Sequence, residues 1–598
     1  MNYLFNGDEI NQRTILGHPS GLFTLFFTEM WERFSYYGMR AILVLFLVSS
    51  MADQGWGWER ADALKLYAWY TGLVYITPIF GGILADKYLG YRKAVIIGAL
   101  LMTLGHASMA LEVFYDFYLY VGLSFLIIGN GFFKPNISSI VGQLYKDDGK
   151  IKDAAYTIFY MGINAGAFLG ILLCGYIGEK VNWHLGFGLA GIFMFFGMLQ
   201  FHYGQNIFGN IGMPLTQRKE VEVKSKNDIT ISRLFSLIPK RTLTTIIIAF
   251  LIILFFQFFP YFLIFIEISD NVYIFGNYLS VGQKLIYGVA LTTVSWIIMP
   301  FITRISSKEL ISKNEKIVID RLLVVGIFSF LTIFFWWGFE QSGGSMTIFA
   351  NDYTNRDLAG TGALIFKIIN TLLTVVPMII LTIILFMLFK NTFSKYMISN
   401  LFLGTSFLII WGIVIWMLSR EFSNSETEVP ASWFAILNSF FIIVFAPILS
   451  KIWQTKYNPS GPVKFGLGLF LLATGFAILS YGSINIPLGA VTASQSMVFL
   501  ILAYLFHTLG ELCISPVGLS YVSKLAPKNL IGLMFGVWFV ANFIANYSAG
   551  ITGSYIDPIV DEYGMASFFL IFTILPAIVG ILMILSSRKI VKMMHGIE

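Results

Sequence analysis

Four charged residues and two tyrosines lie in the middle of the first long apolar run, which extends from about Gly21 to Ser49. A membrane-spanning helix needs roughly 20 apolar residues, and an unpartnered charge at the bilayer centre costs roughly 2.5–3.5 kcal/mol. At about 100° per residue, the six polar side chains share one face of the helix. A structural ion pair would need only two of the four charges, so the stripe predicts a water-accessible cavity with partner charges on other helices. The six residues are Glu29, Glu32, Arg33, Tyr36, Tyr37 and Arg40.

The composition is that of a polytopic membrane protein. Of the 598 residues, 57% are hydrophobic and 12% are charged, and the mean hydropathy is +0.75. The apolar runs are long and lack the alternation of barrel strands, which indicates membrane-spanning helices. Cys174 and Cys513 both lie in apolar runs and indicate no disulfide framework. Residues 1–19 are polar, so we expect no cleavable signal peptide.

The apolar runs predict about sixteen membrane-spanning helices. With the N-terminus placed inside, most of the 39 Lys and Arg residues fall in inner loops, and the outer loops are mainly acidic. This asymmetry explains the net charge of +6 without a nucleic-acid partner. It predicts a multi-pass protein of the plasma (inner) membrane with both termini in the cytoplasm. The spans lie near residues 21–49, 62–85, 93–113, 117–142, 154–178, 184–204, 242–268, 284–303, 322–350, 363–389, 396–419, 432–450, 464–482, 495–523, 530–553 and 566–587.

Further motifs follow the first-helix stripe in a fixed order along the chain. They are Gly81–Lys93, Gly129–Ile137, Phe159–Gly166, Phe335–Gln341, Gly510–Gly518 with Leu525–Pro527, and Trp538 and Phe539 with Asn546. Together with the stripe, these motifs resemble the proton-coupled oligopeptide transporters of the major facilitator superfamily. The resemblance covers nearly the whole chain.

The resemblance implies an all-α membrane protein with the major facilitator fold, in which two six-helix bundles are joined by a linker. We expect the N-terminal bundle at residues 1–204, a cytoplasmic linker with an extra helix pair at 205–320, and the C-terminal bundle at 321–598. A second extra hairpin, at about 360–421, interrupts the C-terminal bundle where the family usually has a short outer loop. Its turn is expected to face the cytoplasm, and its expected role is packing or partner contact.

Peptide binding needs a cation for the carboxylate of the substrate and an anion for its ammonium group. Arg40 and Lys134 are candidates for the first task and Glu511 for the second, and the resemblance implies the same roles. Other expected substrate-binding residues are Tyr37, Tyr75, Tyr160, Asn164, Trp336, Asn438 and Trp538. The expected proton-coupling residues are Glu29, Glu32, Arg33 and Glu340. Arg33 is expected to pair with Glu340 when the outer side closes. The superfamily resemblance implies that Asp86 and Arg92 lock one conformation.

The sequence departs from the family pattern at two places. Around Asn438, the family usually has Gln three residues earlier and Pro directly after, where this chain has Ala435 and Ser439. After Gln341 the residues are unusually small, which predicts different packing of the outer gate. This second segment is Ser342–Ser345.

The resulting prediction is proton-coupled symport of di- and tripeptides by alternating access, with protons as the coupling ion, and peptides and the lipid bilayer as partners. The alternative is the same carrier fold moving nitrate or a modified amino acid. The isolated histidines and the lack of a phosphate-binding motif predict neither a metal nor another cofactor. No catalytic constellation favours an enzyme, and only the extra hairpins suggest a receptor or scaffold.

Overall fold

The computed structural model describes residues 5–146, 149–214, 313–527 and 530–597. In these ranges, thirteen helices are long and apolar enough to cross a membrane. A further long helix, α1 (Ser20–Val48), carries the charged stripe. The thirteen confirm thirteen of the predicted spans, and α1 shows that the predicted span near 21–49 is helical. The predicted spans near 242–268 and 284–303 lie outside the described residues.

Six helices form the first half of the chain, and small residues let them approach closely. Gly166 and Gly170 on α5 face the backbone carbonyl groups of Met30 and Phe34 on α1, where a Cβ atom would overlap the carbonyl oxygens. This contact fixes one side of α1, so that its polar stripe faces other helices. After α1, the helices are α2 (Arg60–Leu84), α3 (Tyr91–Ala110), α4 (Phe117–Gln143), α5 (Lys150–Lys180) and α6 (Trp183–Gly204).

Eight long helices follow in the described part of the second half. They are α7 (Lys313–Phe339), α8 (Gly360–Thr392), α9 (Met397–Ser423), α10 (Ile436–Trp453), α11 (Gly461–Gly482), α12 (Met497–Leu525), α13 (Ile531–Gly553) and α14 (Met565–Met593). Short helical turns include Glu340–Gly343, Ser345–Ile348, Phe349–Tyr353, Ala431–Ala435 and Ile556–Tyr563. Two small antiparallel pairs complete the fold: β1 (Thr14–Ile15) with β2 (His18–Pro19), and β3 (Asp357–Leu358) with β4 (Thr427–Glu428).

Contacts along the chain group the described residues into two compact units. The larger contains 5–146, 149–214, 327–520 and 535–589, and the smaller contains 313–326, 521–527, 530–534 and 590–597. Within the smaller unit, His595 Nε2 lies 2.8 Å from Asp320 Oδ2. The predicted linker at 205–320 lies mostly outside the described residues, so the three domain boundaries stay predictions.

The hairpin predicted at about 360–421 is formed by α8 and α9. Its turn lies beside the N-terminal segment: the Tyr396 hydroxyl donates to Asp8 Oδ2 at 2.5 Å, and Lys395 Nζ lies 3.0 Å from the same oxygen. The turn and the N-terminal segment are therefore at the same end of the molecule, as the alternation of spans predicts. Lys367 is buried near the start of α8, and its Nζ donates to the backbone oxygen of Asn424 at 2.5 Å.

The opposite end, which holds the α1–α2 connection at residues 49–59, is called the outer end below. Here β3 and β4 connect the inserted hairpin to the rest of the second half. Glu428 on β4 pairs with Lys180 of α5 and, at 2.8 Å, with Arg356. Burial disfavours the ionised carboxylate, but the hydrogen bond from Lys180 and the charge of Arg356 outweigh burial and lower the pKa of Glu428.

Candidate functional site

The charged stripe of α1 is buried, and its first three members form one cluster. Arg33 Nε donates to Glu29 Oε1 at 2.8 Å and lies 2.7 Å from Glu32 Oε2. Glu32 Oε1 accepts a hydrogen bond from Asn130 Nδ2 of α4 at 3.2 Å. The predicted grouping of Glu29, Glu32 and Arg33 is therefore present in the structure. One arginine beside two carboxylates leaves a negative charge, which a proton or a nearby cation can balance.

Glu340 pairs with Arg40, and the predicted pair of Glu340 with Arg33 is wrong for this conformation. Arg40 Nη2 binds Glu340 Oε2, and Arg40 Nε donates to the Tyr67 hydroxyl at 2.6 Å. Both charged side chains are buried. Arg33 is instead held by the two acids on its own helix. The arginine expected to receive the substrate carboxylate is thus occupied by a carboxylate of the protein itself.

The small residues after Gln341 make room for this contact. Gly343 lies against the Tyr67 hydroxyl and beside Arg40 Nε, and a Cβ atom at Gly343 would overlap the hydroxyl group. The carbonyl oxygen of Ser342 accepts a hydrogen bond from the hydroxyl of Tyr504 on α12 at 3.3 Å. This geometry gives the predicted difference in gate packing a physical cause: a tyrosine from α2 fills the space that a side chain at position 343 would occupy.

Glu511 on α12 is buried and is held by Asn438 of α10. The amide Nδ2 of Asn438 donates to Glu511 Oε2 at 2.8 Å and to Thr508 Oγ1 at 3.1 Å. In this structure the amide of Asn438 orients the carboxylate of Glu511, and the neighbouring Ser439 is buried. The binding of the peptide backbone by Asn438 stays a prediction.

Lys134 on α4 interacts electrostatically with acids of both halves. Its Nζ is 4.6 Å from the centre of the Tyr75 ring, which places the ammonium group over the aromatic face. Lys134 is within electrostatic reach of Glu32 and Glu340. Glu511 is in turn within electrostatic reach of Glu340. The predicted cations and acids therefore belong to one connected set of charges within the larger unit.

The remaining predicted substrate residues are placed as follows. Tyr160 on α5 is 40% exposed, and its backbone oxygen accepts a hydrogen bond from Asn164 Nδ2 at 2.9 Å. Tyr160 is within electrostatic reach of both Glu511 and Tyr37. The two predicted tryptophans make aromatic or close packing contacts: Trp336 packs edge-on against Phe335 and Phe339, and Trp538 lies against Gly518.

The predicted role of Asp86 and Arg92 in locking one conformation stays a prediction, and the structure shows which groups Arg92 binds. Arg92 is buried, and its Nε donates to the backbone oxygen of Ile211 at 2.7 Å. Its Nη2 donates to the backbone oxygen of Gly209. Asp86 is exposed in the turn before α3. Arg92 therefore fastens the segment after α6 to the first half of the chain.

Several polar contacts close the outer end, and the sequence interpretation missed their members. Arg60, at the start of α2, pairs with Asp352 at 2.6 Å and with Asp557 at 2.7 Å. Glu179 of α5 accepts hydrogen bonds from the backbone N–H groups of Ala431 and Ser432 at 2.7 and 3.0 Å. These residues lie at helix ends, where a charge is usually only a solvated loop residue. The sequence did contain one signal for these contacts: both halves carry charged residues at the outer ends of their helices.

The fold and the site together define a polytopic membrane carrier: long apolar helices surround buried charges of both signs that are contributed by both halves of the chain. Within the described residues, no group of three or more His, Cys, Asp or Glu side chains is arranged to hold a metal ion. The charges and amides contributed by both halves suit a small ligand with charged ends.

Comparison with known proteins identifies the family. The sequence model of the POT family matches residues 92–407 and 401–563, and the chain belongs to this family. It is 31% identical to the peptide transporter YePEPT of Yersinia enterocolitica, over 98% of this chain and 97% of the relative. It is also 31% identical to a di-/tripeptide transporter of Lactococcus lactis subsp. cremoris, over 98% of this chain and 99% of the relative.

Solved structures of the family are similar in fold as well. A crystal structure of a peptide transporter POT in complex with sulfate is 28% identical, covers 98% of each chain and gives a TM-score of 0.64. A POT family transporter in complex with 5-aminolevulinic acid is 26% identical, covers 96% of this chain and 98% of the other, and also gives a TM-score of 0.64. The prediction of a major facilitator fold is confirmed by this likeness.

Proposed function

We propose that this protein is a proton-coupled symporter of di- and tripeptides that works by alternating access. The observation that carries the proposal is the connected set of intramembrane charges, in which half-buried Lys134 and buried Arg40 lie on the first half and buried Glu511 on the second. The printed names of the relatives, a peptide transporter and a di-/tripeptide transporter, support the choice of substrate.

A short peptide has a carboxylate at one end and an ammonium group at the other. Lys134 and, once it is released from Glu340, Arg40 are the cations available for the carboxylate. Glu511, oriented by Asn438, is the anion available for the ammonium group. A peptide held in this way is attracted to both halves of the chain, so its binding favours their closure around it.

The proton enters the mechanism at Glu340. Ionised Glu340 holds Arg40, whereas protonated Glu340 loses most of that attraction and frees the guanidinium group for the substrate carboxylate. Peptide binding and protonation then favour each other. Glu29 and Glu32 share the single positive charge of Arg33. A proton on either acid can therefore balance the negative charge that remains, which makes this cluster a second candidate site for the proton.

The formal charges of the intramembrane set agree with this coupling. The acids Glu29, Glu32, Glu340 and Glu511 exceed the bases Arg33, Arg40 and Lys134 by one. One bound proton neutralises the set, and a peptide with a neutral side chain adds no net charge. Neutrality lowers the cost of closing the loaded site inside a membrane, where an uncompensated charge is expensive. We place the carrier in the plasma membrane with both termini in the cytoplasm, because that arrangement puts most basic loops inside.

Glu511→Gln is expected to weaken binding of dialanine about 10- to 100-fold, because a charge-assisted hydrogen bond contributes about 1.5–3 kcal/mol. The measurement is competition by dialanine against uptake of a labelled dipeptide in proteoliposomes. Glu421→Gln is the matched control: Glu421 is a buried acid on α9 that accepts hydrogen bonds from Tyr176 and Thr427. Equal dialanine affinity in both variants would contradict the role of Glu511.

A second candidate substrate is a small amino acid with one amine and one carboxylate. The similar structure with 5-aminolevulinic acid favours it, because that ligand has the same two charged ends. Competition between dialanine, 5-aminolevulinic acid and nitrate separates the candidates. Recovery of the transported solute unchanged tests transport against chemical conversion. Nitrate has no ammonium group for Glu511, so competition by nitrate alone would contradict peptide transport.

A further inference from the structure

Glu32 depends on one amide for its hydrogen bonding. Its side chain is wholly buried on α1, and Oε1 accepts from Asn130 Nδ2 at 3.2 Å. Arg33 Nε is only 2.7 Å from Glu32 Oε2, but its single N–H donates to Glu29 Oε1. Within the described residues, Glu32 Oε2 has no hydrogen-bond partner. Asn130 is therefore the donor that fixes the orientation of this carboxylate.

The same amide also has an unused acceptor. Asn130 is fully buried, and its Oδ1 makes no hydrogen bond to any residue in the described part of the chain. An unpaired buried acceptor is unfavourable, so packing alone favours an apolar residue at this position. The unused oxygen lies on the same amide whose nitrogen contacts Glu32. This arrangement suits a carboxyl group that changes its protonation state.

An amide can serve both states of a carboxyl group. An ionised carboxylate only accepts hydrogen bonds, whereas a protonated carboxyl group also donates one. Rotation of the Asn130 amide by about 180° exchanges its NH₂ group for its oxygen with little change in shape. Arg33 and Lys134 can only donate and so favour the ionised form. The other groups that face Glu32 are the acid Glu29 and the Tyr70 hydroxyl of α2.

We propose that Asn130 is a positioning residue that holds Glu32 in one orientation in both protonation states. The proposal rests on the proposed function only in that Glu32 takes part in proton coupling. Asn130 sets how readily the site accepts a proton, because it supplies a donor when Glu32 is ionised and an acceptor when it is protonated. It acts through Glu32: the proton is bound to the carboxyl group, and Asn130 only donates to or accepts from that group.

Asn130→Leu is expected to shift the pH profile of proton-driven dialanine uptake about one unit to higher pH, a tenfold change in proton affinity. Both forms of Glu32 lose a partner, but the ionised form loses a charge-assisted hydrogen bond, which is the stronger of the two. Asn130→Ser should restore much of the profile, since a hydroxyl group both donates and accepts. Asn542→Leu is the control: Asn542 is a buried amide on α13 that donates to its own helix at Trp538.

The measured quantity is the pH at half-maximal uptake in proteoliposomes, and counterflow shows that each variant transports. A wild-type profile for Asn130→Leu, or equal shifts for the Leu and Ser variants, would overturn the proposal. If the Leu variant does not fold, Asn130→Ala is compared with Asn130→Ser by the same readout. Loss of dialanine counterflow in the wild type would contradict the proposed function instead, so the two failures are distinguishable.

A second, independent observation concerns the inserted hairpin α8–α9. The hairpin follows α7 in sequence, yet its described contacts lie mainly on the first half of the chain. The ring of Phe407 on α9 packs edge-on against Phe27 and Trp31 of α1, at centroid distances of 5.6 and 5.7 Å. Ser399 Oγ donates to the backbone oxygen of Gln200 on α6 at 2.7 Å.

Both ends of the hairpin are also fastened to the first half. At the turn, Tyr396 binds Asp8, and near the outer end the Tyr176 hydroxyl of α5 donates to Glu421 at 2.7 Å. The aromatic contact of Phe366 with Trp433, at 5.9 Å, joins the hairpin to the helical turn before α10. Closely packed side chains do not slide continuously past one another, so these contacts hold the hairpin in a fixed position on the first half.

We infer that the hairpin moves with the N-terminal bundle during transport, although it is inserted in the sequence of the C-terminal bundle. The connections at residues 354–359 and 424–430 then absorb the movement between the halves. The inference rests on the proposed alternating access. It implies that the N-terminal bundle and the hairpin move as one body, which the two short connections at the outer end join to the rest of the C-terminal bundle.

A disulfide between α6 and α9 tests this inference. A Cβ atom placed at Gly204 lies 3.5 Å from the Cβ of Ser399, a distance that disulfides accept. The paired variants Gly204→Cys and Ser399→Cys, without Cys174 and Cys513, should keep their uptake rate after oxidation. Loss of uptake that reductant restores would overturn the inference. Each single-cysteine variant, treated in the same way, controls for the oxidant.

Discussion

Replacement of Glu340 by glutamine is expected to abolish proton-driven accumulation of peptide while largely preserving counterflow. Glu340 contacts Arg40 directly, and both side chains are buried. Glutamine keeps an oxygen for Arg40 but cannot take up or release a proton. The arginine is then held weakly whether or not a proton gradient exists, so the exchange of loaded carriers continues but loses its driving force. Glu32→Gln is expected to act in the same direction.

The measurement compares uphill uptake with counterflow in the same proteoliposome preparation. Glu421→Gln is again a suitable control, because it replaces a buried acid that binds two hydroxyl groups away from Arg40. The control should accumulate peptide as the wild type does. Full proton-driven accumulation by both Glu340→Gln and Glu32→Gln would contradict their assignment to proton coupling.

A disulfide across the outer end is expected to stop transport until it is reduced. Glu179 of α5 binds the backbone of the turn Ala431–Ala435, which leads into α10. On the same helix, a Cβ atom placed at Gly175 lies 3.2 Å from the Cβ of Ser432, close to the separation in a disulfide of about 3.5–4.5 Å. Because alternating access requires the outer end to open, a covalent bond between α5 and this turn prevents the cycle.

The variants Gly175→Cys and Ser432→Cys are combined in protein without the native cysteines, and dialanine uptake is measured after oxidation and again after reduction. The expected result is loss of uptake that reductant reverses. Each single-cysteine variant reports any effect of the substitutions alone. Undiminished uptake by fully oxidised protein would show that the outer end need not separate at this contact, against the proposed cycle.

The helices could be predicted from the sequence because their apolar runs are long, but the pairing of charges could not. Arg33 and Arg40 lie on the same face of α1, and seven residues of helix separate them by about 10 Å along the axis. Which of them meets Glu340 depends on the depth at which α7 ends. That depth is set by the packing of Gly343 against Tyr67, a contact between distant parts of the chain.

The same limit applies to other contacts. The guanidinium group of Arg92 donates to the carbonyl oxygens of residues 209 and 211, and no local pattern indicates these contacts. Arg60 and Asp352 lie outside the predicted spans near 62–85 and 322–350, and their pairing needs the two halves in place. Glu511 was correctly expected among the buried charges, since an unpartnered acid in a long apolar run needs a polar site.

The central claim is that protonation and peptide binding are coupled in one buried site. The most direct measurement is uptake of labelled dialanine into proteoliposomes under an inward proton gradient, followed by collapse of the gradient with a protonophore. The account predicts accumulation above the external concentration, and then loss of the accumulated dialanine down to equilibrium when the gradient is removed. Equal uptake with and without the gradient, or no saturable dialanine uptake at all, would contradict it.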